Sequence, residues 1–454
     1  MKRLLFLATV LIQFAVGFSQ PIHTAVPERQ PGQLDAIAMT APAINCVRVG
    51  FVGLGMRGTS AVERFCNIPD SRVAALCDAE QQAIDRSMRT LRAHGIDNVP
   101  AYCGTEAYKE LCERDDIDLV YICTDWASHV PIALYAMQHG KHVAIEVPAA
   151  TAMDDIWKLI NTSELTRKHC MMLENCVYDF FEMACLNMAQ QGLFGEVLHV
   201  EGAYLHNLDQ FWDEYWHNWR LDYNYKHRGD VYPTHGIGPD CQVLNIHRGD
   251  RMDYLVSMDT KSVNGKKHME KRTGKECNDF ANGDQTSTLI RTANGKTILL
   301  QHNVMTPRPY SRMFQITGTD GYASKYPREE LCFREETLAE NISPDYQNLS
   351  SHAALPDSIS KKITRKYLPQ FVKDIEAKAR EVGGHGGMDY IMDYRLIYCL
   401  HRGLPLDIDV YDMAEWCCIS ELSRISIENG SAPVAIPDFT RGAWTKTKGF
   451  KYAF

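Results

Sequence analysis

No run of lysine or arginine breaks this 454-residue chain, and acidic residues exceed basic ones to give a net charge of −9 and a pI near 6.0. That balance excludes a general nucleic-acid binder. No cysteine pair or Cys/His group has zinc-ligand spacing; Cys417 and Cys418 are adjacent and cannot chelate in the usual way. A structural metal is therefore not expected. The fifteen cysteines are odd in number and scattered, with Cys77 and Cys123 inside predicted core strands, so they read as reduced small hydrophobes and not as a disulfide framework. Internal repeats and low-complexity segments are also missing. Past residue 20 there is no apolar run long enough to span a membrane.

What is present begins with Lys2-Arg3, an apolar stretch from Leu4 to Phe18, and Ser19-Gln20-Pro21. A cationic start, a short apolar run and small or polar residues predict a secretory signal over 1–20, hence export to a bacterial periplasm. Residues 21–45, rich in Pro, Ala and Gln, predict a flexible leader. The rest, at 45% hydrophobic and 23% charged, is ordinary globular composition and long enough for two domains.

The densest signal lies at 47–78. The β-branched run Val47-Arg-Val-Gly-Phe-Val52 leads into Gly53-x-Gly55-x-x-Gly58, then a helix-compatible segment, then the strand Arg72–Cys77 closed by Asp78. In a dinucleotide fold the first glycine makes the tight turn and the second admits the pyrophosphate. The third lets helix and strand pack closely, and the acid twenty residues on accepts from the adenosine ribose. The helix N-terminus adds unpaired N–H groups and a partial positive charge. The cofactor expected is NAD.

Strand and helix keep alternating to Met171–Asn175, which predicts a doubly wound parallel sheet, a Rossmann α/β domain over 46–178. Beyond 180 the pattern shifts to alternating strands at 196–204, 252–258, 285–290, 296–302 and 312–317, with helices at 180–191, 359–380 and 409–429. That predicts an α+β domain over 179–454 built on a large, mostly antiparallel open sheet. The charge-rich segment Lys261–Lys275 reads as a solvated loop. The aromatic cluster Phe211–Trp219 fits core and sugar-stacking wall equally well.

Residues 47–450 resemble the glucose–fructose oxidoreductase and inositol dehydrogenase superfamily (Gfo/Idh/MocA), through the fingerprint, Cys123-Thr124 with His129-Val-Pro, Gly140-Lys-His-Val143 and Glu146-x-Pro148. Typical dehydrogenases of that group read Glu-Lys-Pro, with the lysine assisting proton transfer from the substrate hydroxyl. Here the middle residue is Val147, which can neither donate nor carry charge. Within the superfamily the chain is more similar to glycoside hydrolase family 109, the NAD-dependent α-N-acetylgalactosaminidases. The residues that carry this are Gly55-Met-Arg-Gly58, Glu146-Val-Pro148, Glu174-Asn-Cys-Val-Tyr178, Tyr204, Trp219-Arg220, Tyr232-Pro-Thr-His-Gly236 and Thr306-Pro-Arg-Pro-Tyr310. The resemblance implies that Met56, Arg57, Asp78, Trp126, Ala127, Ser128, His129, Glu146, Val147 and Asn175 join Gly53, Gly55 and Gly58 around NAD. It implies further that Tyr204, Arg220, Tyr232, Pro233, Thr234, His235 and Tyr310 contact the sugar.

Most glycosidases flank the scissile bond with two carboxylates. The route implied here instead oxidises sugar C3 transiently, eliminates across C1–C2, adds water and reduces C3 again, with no net use of cofactor. It needs groups that take and give protons, and the candidates are His235, Tyr178, Tyr310 and Glu146; the imidazole suits the C3 hydroxyl. The partner is then a glycan or glycoside ending in N-acetylgalactosamine, with homo-oligomerisation left open. Two other readings remain: a net NAD(P)-dependent sugar or polyol dehydrogenase in which His235 replaces the missing lysine, and a non-catalytic NAD-linked sugar binder.

Overall fold

The computed structural model describes residues 20–346, 349 and 351–453, so nearly all of the expected secretory signal lies outside the described residues. The first sheet contains β1 (Val47–Val52), β2 (Ser71–Asp78), β3 (Ala101–Cys103), β4 (Leu119–Ile122), β5 (His142–Ile145) and β6 (Cys170–Met172). Its order is β3-β2-β1-β4-β5-β6, parallel throughout. Strands such as Leu119-Val-Tyr-Ile122 are buried along their whole length because helices cover both faces. Phe51, Phe65 and Tyr121 pack with ring centroids 5.2–5.4 Å apart under the first helix, Met56–Phe65. The strand order reverses between β1 and β4, and the crevice beyond their C-terminal ends is where such sheets bind ligands. This is the Rossmann domain expected from the sequence.

The second sheet contains β7 (Val197–Leu205), β8 (Met252–Asp259), β9 (Thr286–Thr292), β10 (Thr297–Asn303), β11 (Phe314–Gly318), β12 (Gly321–Ser324), β13 (Glu330–Phe333) and β14 (Val434–Ala435). Its order is β13-β12-β11-β7-β10-β9-β8-β14. Every pair is antiparallel except β7 with β10. The helix Thr234–Val243 crosses β7 at backbone contact. A side chain at Gly202 would meet Gly236 O at 2.4 Å, and one at Gly236 would meet Ala203 N at 2.7 Å. Glycine at both positions lets this helix sit low on the sheet, which sets the height of the adjacent His235.

Several elements differ from expectation. Residues 21–45 are not a loose leader: Ile22 N donates to Pro433 O at 2.8 Å, and Arg29 forms a salt bridge with the buried Glu164 at 2.9 Å. Tyr411 Oη accepts from Ala36 N at 2.9 Å, so the segment is fastened to both domains. The charge-rich stretch read as a loop is the helix Asn264–Thr273, stopped by Gly274 in the left-handed conformation (φ 68°). The helix expected over 359–380 is two, Asp357–Tyr367 and Gln370–Val382, because Pro369 has no N–H to continue the ladder. The helix Met388–Arg402 escaped the sequence reading altogether. Its buried face carries Asp389, Asp393 and Arg395, so ion pairs such as Arg64–Asp393 at 2.7 Å interrupt the apolar period that would have revealed it. All fifteen cysteines are free.

Candidate active site

The glycine turn leaves β1 with Gly53 at φ 89°. A Cβ on Gly58 would lie 1.8 Å from Gly53 O, and one on Gly53 would lie 2.6 Å from the Cys123 carbonyl carbon. At Gly55, by contrast, an added Cβ meets nothing within 4 Å, so open space fronts the N-terminus of the helix that begins at Met56. That contrast fits a pyrophosphate: tight where helix and strand must pack, open where phosphate oxygens approach backbone N–H groups. Asp78 ends β2, and its carboxylate accepts from Leu54 N and from Glu80 N at 2.8 Å, which aims it at the same crevice.

Arg57, the second residue of the helix, ties the crevice together. Its guanidinium donates to Glu146 Oε1 at 2.9 Å and to Asp389 Oδ2 at 3.1 Å. Asn175 Nδ2 donates to the other oxygen of Asp389 at 2.6 Å, and His385 Nδ1 lies 2.9 Å from Oδ2. Burial disfavours the Asp389 charge, but Arg57, His385 and Arg64 outweigh it and hold the carboxyl well below its usual range. Asp389 was not singled out from the sequence; the run Gly383-Gly-His-Gly-Gly387 before it is the signal that marks a tight approach there.

Trp126, Ala127, Ser128 and His129 form the first turn of the helix Trp126–Gln138, capped by Asp125, whose side chain accepts from Ser128 N. Trp126 Nε1 donates to Val147 O at 3.2 Å, while Ala127 is exposed to the crevice side. The His129 ring is different. It is fully buried, 3.0 Å from Pro148 O and 3.1 Å from Thr124 O, so it clamps two sheet-end loops from beneath and does not present its ring to a ligand.

Facing this crevice is a chain of polar contacts to which both domains contribute. Glu174, two residues past the last parallel strand, accepts from Cys176 N at 3.0 Å and pairs with His235 Nδ1 at 2.7 Å. His235 Nε2 lies 3.2 Å from Tyr232 Oη. Burial pushes the Glu174 carboxyl up, but the imidazole's charge and hydrogen bond and the Cys176 N–H prevail, so it sits below its ordinary value. Carboxylate, imidazole and phenol thus stand in series. His235 is on the first turn of a helix and not in a loop; Pro233 and Thr234 are buried beside it and anchor that turn. Asp230, its own carboxyl pushed up to about 7 by burial, accepts from Tyr232 N and braces the approach.

Tyr204 projects from β7 into the same space, its ring 4.7 Å from Tyr232 and 5.4 Å from His235. Its hydroxyl is hydrogen-bonded with His206 Nδ1 at 2.8 Å. Burial, with the guanidinium charges of Arg220 and Arg312, pushes His206 down to about 4, so its ring is uncharged at neutral pH. Arg220 is buried with its guanidinium 4.4 Å from the Tyr232 ring centre and 5.1 Å from that of Tyr215, to whose hydroxyl it also donates. Arg312 is buried against Cys176 Sγ (3.5 Å) and Met388 Sδ (3.3 Å), 5.6 Å from the Tyr310 ring centre. Neither arginine forms an ion pair among the described residues. Their charges are thus unneutralised among these residues, and the buried Arg312 Nε has no hydrogen-bond partner among the described residues. Burial raises the phenols of Tyr204, Tyr232 and Tyr310, which keeps all three protonated.

Tyr178 does not join this group. It is fully buried with its hydroxyl 3.4 Å from Asp407, itself doubly hydrogen-bonded to Arg395. It supports the packing behind the site. Glu146 is held by Arg57 in the cofactor crevice and is not free as a base. The aromatic cluster divides: Trp212 is core at 1% exposure, Trp219 packs on Trp126 at 4.9 Å, and Trp216 is 48% exposed. Glu174, Cys176 and His235 lie within metal-binding reach of one another. Yet a 2.7 Å Oε1···Nδ1 contact is a hydrogen bond, and the Arg312 guanidinium beside Cys176 opposes a second cation, so the set fits a proton relay better. We expect Glu174→Gln, which keeps the shape and removes the charge, to lower kcat about 10- to 100-fold with NAD content unchanged; steady-state kinetics and cofactor release on denaturation check this.

Comparison with known proteins adds lineage to geometry. Residues 178–446 match the family described as glycosyl hydrolase 109, C-terminal domain, and residues 47–174 match the oxidoreductase family with an NAD-binding Rossmann fold. Glycosyl hydrolase family 109 protein 1 of Bacteroides fragilis (strain YCH46) is 63% identical over 96% of this chain and 94% of its own. The glycosyl hydrolase family 109 protein of Porphyromonas gingivalis (strain W83) is 58% identical over 98% and 96%. Among solved structures, a levoglucosan dehydrogenase in complex with NADH superposes with TM-score 0.62 at 15% identity, over 86% of this chain and 99% of its own. The WlbA dehydrogenase from Bordetella pertussis, in complex with NADH and UDP-GlcNAcA, gives 0.63 at 14% identity over 87% and 99%. At such identities the likeness is one of fold.

Proposed function

Because this chain belongs to glycosyl hydrolase family 109, we propose that it removes terminal α-linked N-acetylgalactosamine from glycans by a redox-neutral cycle with NAD as a recycled cofactor. The observation that carries this reading is the Glu174–His235–Tyr232 relay opposite a Glu-x-Pro motif whose lysine is replaced by Val147. In that arrangement the second domain supplies the imidazole and phenol that move protons, and the Rossmann domain supplies the carboxylate behind them. When bound, NAD takes up the hydride of sugar C3 and later gives it back. The glycine turn, Asp78, Arg57 and the Trp126–Ser128 turn would hold it, with Glu146, Val147 and Asn175 at the side facing the sugar.

Two of the proton steps then have a group of suitable chemistry. His235 Nε2 takes the C3 hydroxyl proton, and Glu174 stabilises the imidazolium that forms. Oxidation at C3 acidifies C2–H; loss of that proton breaks the C1–O bond, and water adds at C1 before C3 is restored. Tyr310, kept protonated by burial, is suited to donate to the departing oxygen. Arg220 and Arg312 place buried positive charge beside the sugar, where planar donors orient hydroxyl or acetamido oxygens and offset negative charge growing at C3.

Incubating the purified protein with p-nitrophenyl α-N-acetylgalactosaminide in deuterated water tests the reading. The expected result is release of nitrophenol with deuterium at C2 of the sugar and no build-up of NADH absorbance. Stoichiometric NADH without hydrolysis would instead identify a net sugar dehydrogenase and overturn the cycle.

A further inference from the structure

Beside Tyr310 the protein opens into a basin of about 540 Å³, lined by His206, Asp209, Gln210, Phe211, Arg308 and Tyr310. It lies within the size range of small-molecule sites, about 300–1,000 Å³. We propose that this basin is a second sugar subsite, which seats the leaving-group sugar and makes the enzyme a reader of extended glycans; the inference rests on the hydrolase reading above.

Three observations carry it. The basin is continuous with the relay: the Tyr310 ring stands edge-on to His206 at 4.8 Å and to Tyr204 at 6.4 Å, and Tyr204 abuts His235. Tyr310 is 41% exposed, so its ring lies open to the basin. Its walls also have the composition that sugar recognition needs. Phe211, packed on His206 at 5.3 Å, and Tyr310 offer aromatic surface for the C–H face of a pyranose. Asp209 supplies acceptors, and Gln210 and Arg308 supply donors, for its hydroxyls. Finally, Arg308 is exposed at the rim and forms no ion pair among the described residues, so its planar donors are open to hydroxyl oxygens of a ligand. A peptide is disfavoured, because β7 beside the basin is paired on both sides, with β10 and β11, and has no open edge to extend.

The test uses NAD-loaded His235→Asn protein, which keeps substrates intact. Isothermal titration calorimetry compares methyl α-N-acetylgalactosaminide with α-N-acetylgalactosaminyl-(1→3)-galactose. The disaccharide should bind at least about tenfold more tightly. That advantage should vanish on adding either Arg308→Ala or Phe211→Ala, with affinity for the methyl glycoside changed less than about threefold. Equal affinity of the two ligands, or a disaccharide advantage insensitive to both substitutions, overturns the subsite. Binding of neither ligand overturns the N-acetylgalactosaminide reading and this inference with it. A disaccharide advantage in a protein whose wild type hydrolyses nothing upholds the subsite and removes the hydrolytic cycle alone.

Discussion

Substituting asparagine for His235 is expected to lower kcat for glycoside hydrolysis by about 10²- to 10⁴-fold, the usual range for loss of a positioned acid–base group. The imidazole is the one member of the relay that can take a proton at one nitrogen while the other stays hydrogen-bonded. Its two nitrogens divide the work: Nδ1 is engaged at 2.7 Å by Glu174, which leaves Nε2 toward Tyr232 and the cavity. Asparagine preserves a hydrogen bond to Glu174 and so avoids stranding a buried carboxylate, which separates chemical from structural loss. KM should change far less than kcat, and denatured protein should release as much NAD as wild type. Hydrolysis within tenfold of wild type would show that the C3 proton is taken elsewhere. Loss of NAD together with activity would place His235 in support of the crevice.

The second large effect is expected at Gly58. In Gly58→Ala the new methyl would be 1.8 Å from Gly53 O, a backbone atom that cannot rotate aside. Either the first helix lifts off the sheet or the turn opens, and both displace the N–H groups that face Gly55. Overpacking of this kind costs about 1–3 kcal/mol or more. The same displacement should weaken NAD binding about a hundredfold, equivalent to ~2.7 kcal/mol. Equilibrium dialysis of cofactor and thermal unfolding with and without added NAD check the two parts separately. Retained NAD affinity in a stably folded variant would mean that the turn tolerates the extra carbon and that the fingerprint does not act through close packing. Gly55→Ala is the informative control, since its Cβ meets no protein atom and any loss there reflects the ligand alone.

How much was legible depended on the range of each interaction. The fingerprint is local: strand, turn, helix and acid fall within 32 residues of Val47, and backbone sterics bind them to one arrangement. The parallel sheet followed from buried apolar runs, and the second sheet from alternation. The motif at 232–236 pointed to His235 but not to its partner, because Glu174 lies 61 residues away on the other domain's last strand. An acid just past the C-terminal end of a parallel strand is the one local hint of it. Asp389 and the helix that carries it were hidden for a related reason. Charges paired across a domain boundary, as in Arg57–Asp389 and Arg64–Asp393, look in sequence like solvated polar residues. Tyr178 misled in the opposite sense: it sits in a motif beside Asn175, but a short turn of helix points its hydroxyl away, to Asp407.

By itself, then, the sequence determined the Rossmann turn, the cofactor class and the loss of the usual lysine, all properties that neighbouring residues impose on one another. Only the tertiary structure decided which side chains share the cavity. It paired Glu174 with His235, left Arg220 and Arg312 buried without a countercharge among the described residues, and withdrew Tyr178 and the His129 ring. The physical reason is that a hydrogen bond or an exposed charge is settled over a few ångströms in space, while the residues that settle it are tens to hundreds of positions apart along the chain.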